Sequence, residues 1–124
     1  MNERRNDDEL ASLEDLRDAQ RRFAAERDWE QFHAPKNLAM ALSVEVAELM
    51  EHFQWLSEEQ SNQLSAEQHV KGREELADVL IYLVRLADKL NVDLLAAARD
   101  KMVLNAAKYP ADKAHGQSRK YTKR

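Results

Sequence analysis

Apolar residues recur along this chain at the three-to-four-residue spacing of helices, and that spacing predicts four of them. The first spans about Ser12 to Arg27, with Ser12 and Asp15 in a capping arrangement and Leu13, Leu16, Ala19 and Phe23 as its apolar stripe. A connection, 28–36, carries Trp29, Phe32 and His33; Pro35 then suits the first turn of a second helix running to about Trp55. Residues 57–65 are polar and read as a loop. Ser65 and Gln68 mark a capping box at the head of a third helix that ends near Leu90, with Gly72 a weak point inside it and an alternative start. Asp93 can cap a fourth helix that stops near Lys108, before Pro110. The expected fold is all-α, a four-helix bundle protomer. One domain covers 1–110 with its core at about 12–110, and 111–124 form a basic tail that orders only if something docks it.

The pattern is broken at two places. From Leu38 to Met50 only Ser43, Glu45 and Glu48 interrupt apolar residues, and Glu45, Glu48, His52 and Trp55 share roughly 80° of helical arc. A helix that is apolar nearly all round is expected to be buried. From Leu76 to Val84 the only charge is Asp78, and Glu75, Asp78, Tyr82 and Arg85 share one face. Each helix therefore offers an acidic i,i+3 pair. One such pair is usually a solvated face. Two, each inside an apolar segment, imply carboxylates costing several kcal/mol apiece unless protonated, paired or bound to metal. An all-oxygen set of this kind suits a hard divalent cation, magnesium above all. Glu51 and Glu74 neighbour the same patterns but can face solvent, and are left outside the set; His52 and His69 read as surface residues.

Composition narrows the choices. Gly and Pro occur only twice each, too few for the turns of a sheet protein, and a chain of 124 residues is one domain by default. The absence of cysteine excludes disulfides, zinc-thiolate sites and thiol catalysis. A net charge of −4 disfavours a duplex nucleic-acid binder. The charged stretch Met1–Glu9 is no signal peptide, and no apolar run is long enough to span a membrane, so a cytoplasmic location is expected.

Two segments, EVAELMEHFQW (Glu45 to Trp55) and EELADVLIYLVRLADKLNVDL (Glu74 to Leu94), resemble the MazG-like, all-α nucleotide pyrophosphohydrolases. ERDWEQFHAPKNL (Glu26 to Leu38), KMVLNAAKYP (Lys101 to Pro110) and KYT (Lys120 to Thr122) are similar to segments of the dCTP pyrophosphatase branch of that family. The resemblance covers nearly all of 12–122.

It implies a helical protomer that forms homodimers or homotetramers. Magnesium, with manganese as a substitute, would sit on Glu45, Glu48, Glu75 and Asp78. Trp29 and Trp55 would hold the base, with Gln31, Phe32 and His33 nearby, and Tyr82, Lys101, Asn105, Lys108 and Tyr109 would line the sugar and phosphate region. The implied reaction is hydrolysis of a nucleoside triphosphate, dCTP or a modified dCTP, at the α–β bond, with one of the four acids, Glu45 being a candidate, taking the proton from the attacking water. The chain departs from the branch at Gln20, where a histidine is frequent, and at Lys108, where an arginine is; lysine lacks the planar fork that grips phosphate.

Other readings compete. The tryptophans are equally good core or interface anchors. Lys101 and Lys108 also complement the latter part of a helix, whereas Asn105, a poor helix former in mid-helix, points to a site. dUTP or a broad nucleotide range rivals dCTP. A non-enzymatic helical adaptor explains the apolar stripes but not the acids within them. A di-iron bundle needs two Glu-x-x-His copies, and only Glu30–His33 has that spacing.

Overall fold

Helices start here where a side chain satisfies the free amides of the first turn. In the computed structural model, which describes residues 9–116, α1 (Leu13–Glu26) begins at Ser12, whose Oγ accepts from the Asp15 amide at 3.0 Å. α2 (Pro35–Glu51) opens on Pro35. The short α3 (Glu58–Ser61) and the long α4 (Ala66–Lys89) both carry reciprocal capping boxes, Ser57 with Gln60 and Ser65 with Gln68. α5 (Leu94–Lys108) starts at Asp93, whose Oδ1 accepts from the Ala96 amide at 3.0 Å, and α6 (Ala111–Ala114) follows. All regular structure among the described residues is helical.

Three local expectations are corrected. α2 ends at Glu51, not near Trp55: Phe53 and Gln54 both donate to the Met50 carbonyl at 2.9 Å, and residues 52–55 form turns. The stretch 57–65 is not all loop, because the Ser57–Gln60 box nucleates α3. The tail contains α6, while 117–124, including the Lys120–Thr122 signature, lie outside the described residues. α4 runs straight through Gly72.

The end of α1 places the residues that matter next. The Asp28 amide donates to Ala25 O and the Trp29 amide to Ala24 O, at 3.2 and 2.9 Å, with Asp28 in the left-handed region at φ 54°. This pair of bonds is a Schellman termination, and it folds the chain back so that Trp29 returns to Phe23, one turn inside α1. A 3₁₀ turn, Glu30–Phe32, then leads into α2.

The chain divides into two compact units, 1–91 and 92–124. In the first, α4 is central, with α2 and α1 both packed on it. Its buried apolar residues are Ala24 of α1, Leu38 of α2, and Val84 and Ala87 of α4. α2 is not buried all round within one chain: Met40, Val44, Val46 and Met50 are exposed, as are Leu76 and Leu80 of α4, because only one long helix covers most of α2. In the second unit α5 buries none of its residues, and Met102 and Val103 are each 70% exposed. No described helix is long and apolar enough to cross a membrane.

Candidate active site

The contact of α2 with α4 brings the two acidic pairs face to face. One oxygen from each of Glu45, Glu48 and Glu75 lies within 4.8 Å of the others. Asp78 lies near enough to Glu45 for its charge to be felt there, though outside the trio, and Glu75 acts on Glu48 in the same way. Each interaction crosses from one helix to the other. Their like charges are felt: Glu45 is raised above the usual carboxylate range by burial and then by Glu48, Asp78 and Glu75. Glu48 is raised by desolvation and then by Glu75. Glu45 and Glu75 are half-buried, and Asp78 is exposed, so the acids are not sealed from solvent.

A cation fits this set. Glu75 Oε1 is buried with no hydrogen-bond partner, an expensive state for a carboxylate oxygen. Oxygen donors from two helices, short of partners and repelling one another, are what a hard divalent ion relieves. A fifth residue joins them. His52, just past the end of α2, has Nε2 at 3.8 Å from Glu75 Oε2, so it is not merely a surface residue. Its i,i+4 relation to Glu48 was the available signal; its partner on α4 was invisible to periodicity.

The aromatic residues are arranged by the turn after α1. Trp29 meets Phe23 edge-on at 5.6 Å between centroids and His33 at 6.4 Å. Arg27 covers the Phe23 ring, its guanidinium carbon 3.6 Å from the centroid. Gln31 Nε2 donates to Asp28 O at 3.1 Å, and the Phe32 carbonyl accepts from Asn37 Nδ2 at 3.2 Å. Trp29 remains 43% exposed and Trp55 86%, so both offer ring surface to a partner. Tyr82, half-buried, stands one turn beyond Asp78 on α4. Gln20 Nε2 donates to Ile81 O at 3.0 Å, leaving its buried Oε1 without a partner.

Glu30 and His33, the pair with di-iron spacing, are joined through Arg85, which donates to Glu30 Oε2 at 2.6 Å and to His33 Nδ1 at 3.1 Å. That occupies the ligands a second metal would need. Lys101, Asn105, Lys108 and Tyr109 all belong to the second unit, where the first three follow at i,i+4,i+7 on exposed α5 and the Tyr109 amide donates to Asn105 O at 2.8 Å.

The profile of the MazG-like family matches residues 40–123, a span holding both acidic pairs. The chain belongs to the MazG-like family. It is 50% identical over 113 residues to a dCTP pyrophosphatase 1 from Homo sapiens, a match covering 90% of this chain and 66% of that protein. The same-named proteins of Rattus norvegicus and Mus musculus are 48% identical with the same coverage. The chain thus spans just under two thirds of the length of these relatives. Among solved structures it is similar to a pyrophosphatase from Archaeoglobus fulgidus, with a TM-score of 0.75 and 38% identity over 89% of this chain and 98% of that one. The all-helical MazG-like fold expected from the resemblance is therefore present.

Proposed function

We propose that this MazG-like chain is a nucleoside triphosphate pyrophosphohydrolase that cuts dCTP or a modified dCTP between the α- and β-phosphorus, releasing the monophosphate and pyrophosphate in a magnesium-dependent reaction. The observation that carries the reading is the trio of carboxylate oxygens within 4.8 Å, drawn from two helices and including a glutamate with a buried, unpartnered oxygen. The names of the relatives supply the substrate class.

Glu45, Glu48 and Glu75, with Asp78 beside them, would hold the ion. When bound, magnesium, or manganese in its place, neutralises and orients a triphosphate. The chain supplies the rest. One acid, with Glu45 the candidate, takes the proton of the attacking water. Trp29 and Trp55 offer exposed rings on which a base can stack, a contact worth about 1–3 kcal/mol. Gln31, Phe32, His33 and Tyr82 complete the base and sugar surroundings; for Lys101, Asn105, Lys108 and Tyr109 a sugar and phosphate role rests on the family resemblance alone. The uncovered apolar residues of α2, α4 and α5 support self-association as a homodimer or homotetramer. The cytoplasm, where free nucleotides are abundant, is the fitting compartment.

Gln20 and Lys108, the two departures from the dCTP branch, keep dUTP and a broad nucleotide range as the second reading. A panel of nucleoside triphosphates with magnesium, scored for monophosphate and pyrophosphate, tests both. dCTP is expected to turn over best. Release of orthophosphate, or no turnover with any nucleotide, would overturn the proposal.

A further inference from the structure

Arg85 is the one charged residue fully buried among the described residues, with 4% of its surface exposed. Its guanidinium is divided among three partners. Nε donates to His33 Nδ1 at 3.1 Å, NH2 to Glu30 Oε2 at 2.6 Å, and NH1 to Asp88 Oδ2 at 3.4 Å. Lys89 takes the other Glu30 oxygen at 2.5 Å, and Arg21 of α1 takes both oxygens of Asp88 at 2.9 and 2.6 Å. The 3₁₀ turn is thereby fastened to α4 by side chains alone, through residues 52 to 59 positions apart in sequence.

This is an unusual use of a core position. A buried ion pair seldom adds stability over a well-packed hydrophobe of similar size, so its stability value does not explain an arginine here. What the arginine does that a hydrophobe could not is chemical. Because Arg85 Nε–H donates to His33 Nδ1, that nitrogen carries no proton; the neutral ring must hold its proton on Nε2. Burial, and next the charge of Arg85, also hold His33 below the ordinary histidine range. The His33 ring so fixed stands against Trp29, which Phe23 flanks from another side.

We propose that Arg85 is a positioning residue for base recognition: it sets His33 as a neutral Nε2–H donor and fixes the Trp29–His33 segment to the helix that carries Glu75 and Asp78. The inference rests on the reading that Trp29 and His33 meet the base. The partner of this segment is therefore a ring offering a π face and a hydrogen-bond acceptor on its edge, as a pyrimidine does. Positioned in this way, the base-binding segment is tied to the helix that carries two of the carboxylates.

The test compares R85M, R85K and W29A in the full chain with dCTP and magnesium. R85M leaves Glu30 with Lys89 and Asp88 with Arg21, so it folds, with a melting temperature close to that of the parent. In both Arg85 variants KM rises about tenfold, the cost of one or two misplaced contacts, while kcat at saturation falls less than threefold. R85K does not rescue, because one ammonium cannot serve the imidazole and the carboxylate together. Nitrogen NMR of His33 shows the Nε2–H tautomer in the parent and a tautomer mixture in R85M and R85K. An unchanged tautomer, or a KM within twofold of the parent, would overturn the proposal; should R85M fail to fold, R85K and the tautomer measurement decide it. W29A separates the two readings: a KM unaffected by W29A removes the base-binding reading and this inference with it, whereas a raised KM in W29A with normal KM in R85M and R85K removes only the role of Arg85.

Discussion

His52 Nε2 stands 3.8 Å from Glu75 Oε2, across the gap between the turn that closes α2 and the middle of α4. The imidazole is too far for a strong hydrogen bond but near enough to orient the carboxylate, and Glu75 is the acid with a buried, unpartnered oxygen. Residues that orient a ligand typically cost 10–100-fold in metal affinity or activity when removed. H52A should therefore weaken magnesium binding about tenfold, measured by calorimetry, with the helical content unchanged. Unaltered affinity would show that the contact is incidental.

The acids crowd one another at the expense of the fold, so neutralising one should separate stability from activity. Glu45 and Glu48 are both raised by burial or desolvation and by neighbouring carboxylates, which means that charging them opposes folding in the metal-free protein. E45Q is expected to raise the metal-free melting temperature slightly, solvent screening of the partly exposed carboxylate limiting the gain, while removing turnover. Magnesium should stabilise the parent more than the variant. A melting temperature that falls in E45Q would mean the repulsion is already relieved, and near-normal turnover would remove Glu45 from the site.

Much of this was legible in advance because caps are local. Ser12, the Ser65–Gln68 box and Asp93 each signal a helix start within four residues, and each does so in the structure. The end of α2 was not legible: apolar spacing continues to Trp55, and no glycine or proline marks the stop at Glu51. α3 carries a readable signal in Ser57 and Gln60, masked by the polar composition of the stretch. Periodicity placed Glu45 and Glu48 on one helix face and Glu75 and Asp78 on another, but the meeting of those faces depends on packing. The roles of His52 and Arg85 lie deeper still, since their partners sit on other elements. α2 is less buried than its apolar composition suggests, because within the single chain α4 covers only part of that helix.

The Arg85 node sets an acid limit on stability. Hydrogen bonds from Lys89 and then Arg85 lower Glu30 from 4.5 to about 2, and Arg21 lowers Asp88. A carboxylate lowered in the folded state contributes stability that is complete above its unfolded value and lost as pH falls through the folded one. His33, lowered by burial, acts at higher pH in the same direction: below the ordinary histidine value the unfolded chain binds a proton the folded chain resists. The contribution of this node should thus begin to fall below about pH 6.5 and fall again below about pH 4.5, while protonation of Glu45 and Glu48 acts in the opposite sense. E30Q should flatten the lower step, modestly, since Glu30 is half-exposed and screened. Identical acid unfolding curves for parent and E30Q would show that the node adds nothing.

Uncovered apolar side chains predict an assembly whose stability depends on concentration. Met102 and Val103 on α5, and Met40, Val44 and Met50 on α2, are exposed in the single chain, more apolar surface than a monomer ordinarily leaves in water. The melting temperature should rise with protein concentration, as mass action requires of an oligomer. M102E or V44E should lower the mass seen by light scattering. A monomeric parent with concentration-independent melting would leave those faces for some other partner.

Gly72 offers a separate test of self-association. It lies inside α4, where glycine costs a helix about 0.8–1 kcal/mol relative to alanine. A Cβ built on it meets nothing within 4 Å in the chain itself. G72A should therefore stabilise the isolated fold by about 0.5–1 kcal/mol, through helix propensity and a less disordered unfolded state. Chemical denaturation at low protein concentration measures this gain directly. If G72A instead destabilises, and the loss grows with protein concentration, the backbone at Gly72 is approached closely by a second copy of the chain, and the small residue is there for the interface.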